Sequence, residues 1–422
     1  MTTDLVEVDP SSSVPVAADG TPEPAAPALG VGPAQPPAVS PQSAPTLPRW
    51  RPLLRPVRYY LASRLLVLGA ALVAGVMYPS LDIYRSFGSV WDGRWYLLIA
   101  QHGYPDRIYQ EGLGSRWGFF PAFPAAIRGV AEVTRLSLPD AAFLAAFVFG
   151  LTGTVAVWLV VRGTFGGRVA DRATLLLVFF PLSCILSFAY TEGLFLTVAA
   201  GTLYALQRRW WVTAALLACV AGLTRNTGAV VVVCVLVVAL PAAWRERRLR
   251  PLVAATIAPL GLAAFLAYSW AMVGTPFASL AAQRFWQGQH FVWFSEPVRA
   301  LAALLTLSVH GLTLAQAAFC TLAVVFVYIG VVCLLSLSRE RRVPLSWWVY
   351  TAGAIAIAFS AYFTNSIPRY TLVAFPLFVG IAWKARSITR TALLVGFASL
   401  QAVLTVVFLT GVVHPVTPPF FP

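Results

Sequence analysis

The chain has 422 residues, 59% of them apolar and only 11% charged, with 30 Lys and Arg against 16 Asp and Glu for a net charge of +14. A soluble domain carries about 25% charged residues, so this surface lacks the charge to be solvated and lipid must cover much of it. That excludes an ordinary soluble enzyme. The basic excess reads as helix orientation and headgroup contact rather than nucleic-acid binding, because no basic stripe lies on a soluble fold.

Residues 1–48 hold eleven prolines, five acids, no Lys or Arg and no aromatic residue. They cannot bury a core and read as a disordered cytoplasmic tail. The start, Met1-Thr2-Thr3-Asp4, lacks a basic segment followed by an apolar one, so no cleaved signal peptide is expected. Residues 49–422 read as a single transmembrane domain. From Tyr60 onward, long apolar runs alternate with short polar punctuation, and about 20 apolar residues suffice to cross the hydrocarbon core. The runs predict spans at 60–78, 141–161, 173–189, 191–207, 210–224, 227–243, 252–272, 313–336, 345–363, 370–383 and 391–411, about eleven in all. The expected fold is an all-α polytopic membrane protein.

Alternating these spans from a cytoplasmic N-terminus gathers the bases on the inner side. Six clusters fall there: Arg49/Arg51/Arg55/Arg58, Arg162/Arg168/Arg172, Arg208/Arg209, Arg245/Arg247/Arg248/Arg250, Arg339/Arg341/Arg342 and Lys384/Arg386/Arg390. The short outer loops are nearly bare, as the positive-inside rule requires, and Arg64 lies within the first span. Two outer loops are long, 79–140 and 273–312, and both are rich in aromatic residues. They predict short helices lying in the interface rather than a folded soluble domain.

The five cysteines, Cys184, Cys219, Cys234, Cys320 and Cys333, all sit in apolar runs and read as small core residues. The four histidines, His102, His290, His310 and His414, show no metal-ligand spacing. No cofactor is expected, and a divalent metal is left open.

Outer-side acids are few: Asp82, Asp92, Asp106, Glu111, Glu132, Asp140, Glu192 and Glu296. A carboxylate at membrane depth costs roughly 2.5–3.5 kcal/mol, which makes such residues functional candidates by default. The densest stretch is 91–124. If 89–102 is helical, Asp92, Tyr96, Ile99 and Gly103 share one face, with Trp91 and Trp95 beside them. Periodicity alone leaves two readings for it, a functional acid or an interfacial helix with a solvated Asp. Glu192, in Ala189-Tyr190-Thr191-Glu192, is either a helix-capping acid or a polar residue of a cavity. Arg225, in Thr224-Arg225-Asn226-Thr227, and Arg369, in Asn365-Ser366-Ile367-Pro368-Arg369-Tyr370, are the bases of otherwise bare outer turns. Each suits a phosphate, met in bidentate fashion, or a lipid headgroup.

At these residues the sequence resembles the PIG-V family (GPI mannosyltransferase II) within the GT-C superfamily of membrane glycosyltransferases. The resemblance rests on Trp91-Asp92-Gly93, Ile99-Ala100-Gln101-His102-Gly103-Tyr104 and Phe119-Phe120-Pro121-Ala122-Phe123-Pro124. Tyr190-Thr191-Glu192-Gly193-Leu194-Phe195, Arg225-Asn226-Thr227-Gly228 and Arg369-Tyr370 with Pro376 follow in family order. It covers about 85–422. The family commonly has Ser around the Tyr-x-Glu site and a Ser-Asn pair after the Arg, where this chain has Thr191 and Asn226-Thr227, so the acceptor is expected to differ. The proline-rich tail and the arginine-heavy usage look actinobacterial, and a GPI acceptor is not carried over.

The resemblance implies a GT-C-like bundle and transfer of a mannosyl or related residue from a polyprenyl-phosphate donor to a glycan or lipid acceptor on the extracytoplasmic face of the plasma membrane. The residues fit such chemistry on their own terms. Asp92 can take the acceptor proton, and an Arg can stabilise the departing phosphate. Trp91, Arg94, Tyr96, His102, Phe120, Glu192, Arg225, Asn226, Arg369 and Tyr370 are the candidate substrate-binding residues. The alternative is a transporter or flippase of lipid-linked sugars, which would also use intramembrane charges and broken helices.

Overall fold

The computed structural model describes residues 51–112, 114–285, 292, 294–307, 314–360 and 366–411. The tail, Asn365, His290, His310 and His414 lie outside them. The described residues contain no β-strand, only an isolated bridge between Glu111 and Gly114. Among the described residues, six helical stretches are long and apolar enough to cross a membrane, at 51–77, 138–165, 228–246, 249–273, 316–340 and 387–410. With about 20 apolar residues needed per crossing, the chain is a multi-pass membrane protein.

Helix α1 (Leu54–Met77) is the first span. Residues 79–140 then form three short helices, α2 (Ile83–Ser89), α3 (Asp92–His102) and α4 (Ala122–Thr134). Helix α5 (Leu138–Phe165) opens with the Ser137 hydroxyl accepting from the Asp140 N–H and closes at Gly166, whose φ of +88° suits glycine. Next come α6 (Gly167–Phe179), α7 (Glu192–Gln207), α8 (Trp211–Gly222), α9 (Gly228–Glu246), α10 (Leu249–Ile257) and α11 (Leu260–Val273). The segment 273–312 carries α12 (Ala278–Ala282) and α13 (Ser295–Thr306). The chain finishes with α14 (Leu314–Glu340), α15 (Leu345–Phe359), α16 (Ile367–Thr371), α17 (Pro376–Lys384) and α18 (Ser387–Thr410).

Three expected spans are interrupted: 252–272 only briefly, at Ala258 and Pro259 between α10 and α11, and two others more fully. The run 173–189 is α6 followed by a 3₁₀ turn at Pro181–Ser187, bent by 80°. The cause is local: Pro181 forces the preceding Phe180 into an extended conformation (ψ 139°) and removes a donor. The carbonyls freed at the end of α6 are met by side chains. Ser183 donates to Leu177 O and Ser63 to Val178 O, and Gln401 Nε2 donates to Val178 O at 3.0 Å and Phe180 O at 3.3 Å. Arg64, the base inside the first span, is buried beside them and donates to Ser183 O and Ser187 Oγ, both at 2.8 Å. A cation at a helix C-terminus also complements the helix dipole. The run 370–383 is likewise broken, into α16 and α17, the second starting at Pro376 where a proline is tolerated.

A chain of contacts ties the six basic clusters to one end of the bundle. Arg55 pairs with Asp171 at 2.8 Å, and Gln207 Nε2 donates to Thr164 Oγ1 at 2.7 Å. Arg209 pairs with Glu246 at 2.7 Å, Phe165 meets Trp347 with ring centroids 5.4 Å apart, and Lys384 pairs with Glu340 at 2.6 Å. Helix α7 leads away from that end. Its 16 residues span about 24 Å, and at its far terminus stands Glu192. All five cysteines are free, with Cys184, Cys234 and Cys320 buried, as expected for small core residues.

Candidate active site

Helix α3 starts at Asp92 and ends at Gly103, which takes φ +69°. Three of the four residues expected to share a face, Asp92, Tyr96 and Ile99, are buried together, while Gly103 lies past the helix end and Arg94 and His102 are exposed. Trp91, just ahead of the helix, holds a φ of +51°, sparsely populated for a bulky residue. Its indole N–H donates to Phe408 O on α18 at 3.1 Å, which fixes it there. Such strain costs on the order of 1–3 kcal/mol and persists only where the surroundings enforce it. Gly93 faces the segment leading into α7: a Cβ there would lie 3.3 Å from Ala189 Cβ. The same segment is tied to α2 by Ala189 N–H donating to Phe87 O at 2.9 Å.

Helix α7 lies close against α5, because a Cβ on Gly193 would come within 2.7 Å of Gly150 N and only paired glycines allow that approach. Glu192 thus enters the site on a rigid element. Arg225 arrives on the turn between α8 and α9, and Arg369 on the short α16.

These elements bring four charges together. Arg369 Nη1 donates to Asp92 Oδ2 at 2.6 Å, its Nε lies 3.6 Å from Glu192 Oε1, and Arg225 Nη1 donates to that same Glu192 oxygen at 3.1 Å. Exposures of 8% for Asp92, 1% for Glu192, 9% for Arg225 and 7% for Arg369 make all four buried. Two acids and two bases leave the cluster neutral. Aromatic rings line it. Arg225 and Arg369 both lie over the Tyr370 ring, at 5.1 and 5.0 Å, and Arg369 also lies over Tyr190 at 5.2 Å and Arg225 over Phe195 at 5.6 Å.

The donors of the cluster outnumber its acceptors. Arg225 Nε and Arg369 Nε have no hydrogen-bond partner among the described residues, and neither has Glu192 Oε2. A guanidinium offers five N–H donors, so the two carboxylates do not use all that the arginines present. Burial pushes the Asp92 carboxyl above its ordinary range, although Arg369 beside it draws it down. Burial, with Asp92 and Glu192 nearby, pushes the Tyr96 hydroxyl up as well, so it stays a neutral group.

Of the residues singled out in the sequence, Asp92, Glu192, Arg225, Arg369 and Tyr370 converge here. Tyr96 is buried on the same face of α3, edge-on to Phe119 and Phe123 at 5.0 and 5.2 Å. The others stand elsewhere. Arg94 lies over the Trp95 ring at 4.8 Å, Phe120 packs on Phe265 in a separate aromatic cluster, and exposed Asn226 accepts from the Thr227 N–H. Tyr190 was not among the candidates. Its hydroxyl accepts from the Asp92 N–H at 3.4 Å, and its place two residues before Glu192 was the available signal.

Comparison with known proteins bears on this part of the chain. Residues 121–270 match the family described as dolichyl-phosphate-mannose-protein mannosyltransferase. The stretch runs from α4 to α11 and holds Glu192 and Arg225. No curated protein sequence matches the chain. Among solved structures it is similar to the oligosaccharyltransferase of Archaeoglobus fulgidus (14% identity, TM-score 0.48), covering 82% of this chain and 55% of that one. It is also similar to ArnT from Cupriavidus metallidurans, solved with undecaprenyl phosphate (17% identity, TM-score 0.47), covering 85% of this chain and 66% of that one. The chain thus spans about half the length of the first and just under two thirds of the second.

Proposed function

We propose that the chain is an inverting glycosyltransferase that moves a mannosyl or related residue from a polyprenyl-phosphate donor to a glycan or lipid acceptor at the extracytoplasmic face. The observation that carries the reading is the buried Asp92–Arg369–Glu192–Arg225 cluster with its unspent guanidinium donors. The family match over 121–270 supports a lipid-phosphate sugar as donor. Asp92 takes the proton of the acceptor hydroxyl as its oxygen forms the new bond to the anomeric carbon. The bond from that carbon to the phosphate oxygen breaks on the opposite face, and the departing lipid phosphate keeps the electron pair. Arg369 and Arg225 stabilise that growing charge from a buried site, where such stabilisation is strongest.

Purified protein in vesicles, given a donor labelled in its sugar, tests this directly. Label should appear in acceptor, and Asp92→Asn should abolish the transfer. Label that crosses the bilayer still attached to its lipid, with no product formed, would favour a transporter instead.

The arginines carry a separate expectation. Arg225→Lys and Arg369→Lys keep the charge but lose the planar fork, so each should raise the KM for the donor by about 10-fold, roughly the loss of one charge-assisted hydrogen bond. Donor kinetics unchanged in both variants would confine these residues to their ion pairs with Glu192 and Asp92.

The proposed orientation puts the basic end of the bundle in the cytoplasm. Single cysteines at the exposed positions Arg107 and Arg248, in a chain with its native cysteines replaced, report on it. An impermeant maleimide should label position 107 on intact cells and position 248 only after permeabilisation. The reverse pattern overturns the orientation.

A further inference from the structure

We propose that Glu192 is the shared counter-charge of Arg225 and Arg369, a positioning residue that keeps the site neutral and thereby sets how tightly it holds a lipid phosphate. The proposal rests on the reading of this site as one for a polyprenyl-phosphate donor.

Two guanidinium groups share one aromatic ring here, both about 5 Å from the centroid of Tyr370. Like charges that close, in a buried place, repel unless an anion stands between them. That anion is Glu192, whose Oε1 is 3.1 Å from Arg225 Nη1 and 3.6 Å from Arg369 Nε. Asp92 does not serve for both, since its hydrogen bond goes to Arg369. Glu192 is also the least exposed of the four, and its helix cannot retreat, because α7 is pressed onto α5 at Gly193 and Gly150. Its place at the start of α7 would suit a helix-capping acid, yet its hydrogen bond is with Arg225.

Neutrality has a kinetic consequence. A phosphate entering a neutral cluster is held by hydrogen bonds and local geometry rather than by a net charge of the site, so the lipid phosphate left after transfer can depart. Glu192→Gln keeps an oxygen acceptor in the same place and removes the charge, giving a cluster of net +1. The sign of the effect on phosphate affinity separates the possible roles. A group that touches the donor should weaken binding when changed, and a helix cap should leave phosphate selectivity alone. A counter-charge should tighten it.

The test is binding of a long-chain polyprenyl phosphate, with the polyprenol of equal length as its neutral control, to the purified full-length chain in nanodiscs. Wild type should prefer the phosphate. Glu192→Gln should bind it about 10-fold more tightly or better, with polyprenol binding unchanged, and in turnover both the kcat and the KM for the donor should fall. Glu192→Asp, which keeps the charge, should return the wild-type affinity. Because Glu192→Gln leaves two buried cations less well paired, its melting temperature is measured with and without the lipid phosphate, and the added phosphate should stabilise it more than it stabilises wild type. Equal or weaker phosphate binding by Glu192→Gln, with wild type still selective, overturns this inference alone. A wild type that does not distinguish phosphate from polyprenol overturns the donor reading and this inference with it.

Discussion

Replacing Arg369 by Met should lower stability by about 3–5 kcal/mol, the range for removing one partner of a buried ion pair, and should cut turnover by about 10²–10³-fold or more. The stability loss follows from what remains. Asp92 loses the guanidinium that donates at 2.6 Å, and Glu192 loses one of its two cationic neighbours. The activity loss is that of one preorganised donor aimed at developing charge, typically 10²–10³-fold. The two effects separate in a double-mutant cycle measured by thermal unfolding. Asp92→Asn added to Arg369→Met removes the stranded carboxylate, so the double variant should be more stable than the sum of the single losses by about 0.5–3 kcal/mol. Strict additivity would mean that the pair contributes nothing as a pair, and the account of the cluster would need another basis.

Much of the architecture was legible because lipid imposes a simple rule: an apolar run of sufficient length crosses, and bases collect on one side. The run 141–161 lies within α5, and 60–78 and 391–411 overrun α1 and α18 by one residue each. What hydropathy does not register is a break inside an apolar run. Phe180 and Pro181 are apolar, so 173–189 reads as continuous, although proline stereochemistry ends the helix there. Apart from Ser183 in the turn itself, the partners that make the break tolerable come from α1 and α18, more than 110 residues away in sequence, and no local pattern announces them. Arg64 therefore read only as a base inside a span.

The site divides in the same way. Each of Asp92, Glu192, Arg225 and Arg369 stood out alone, because a charge is rare between the apolar runs of this chain away from its basic clusters. Their meeting did not, since Asp92 and Arg369 are 277 positions apart. The sequence also suggested a phosphate or a headgroup for the two arginines, whereas in the folded chain each already faces a carboxylate. That difference changes the chemistry: an arginine between two acids can serve the base and the leaving group in turn. Glu192 likewise stood between a capping role and a cavity role, and the structure gives it the first position of a helix with its carboxylate turned to the arginines.

Asp92→Asn should insert as wild type does and, with one negative charge fewer beside Arg369, bind the donor at least as tightly, yet lose at least ~100-fold in turnover. General base catalysis contributes typically 10²–10⁴-fold, or about 3–5.5 kcal/mol at ~1.4 kcal/mol per tenfold. Asn keeps the size of the side chain and an oxygen for Arg369 to bond, but it cannot accept the acceptor's proton. The pH profile gives an independent check. The base acts only when deprotonated, so in wild type kcat/KM should fall as pH falls through the Asp92 pKa. Burial places that pKa above the ordinary 3.8, against the pull of Arg369, so the acidic limb should lie higher than for an exposed carboxylate and should vanish in Asp92→Asn. Glu192→Gln separates the two acids, because it should keep the acidic limb. An Asp92→Asn protein that retains more than about a tenth of wild-type turnover removes Asp92 from the role of base. If the acidic limb instead disappears in Glu192→Gln and survives in Asp92→Asn, the base is Glu192, and Asp92 is the acid that orients Arg369.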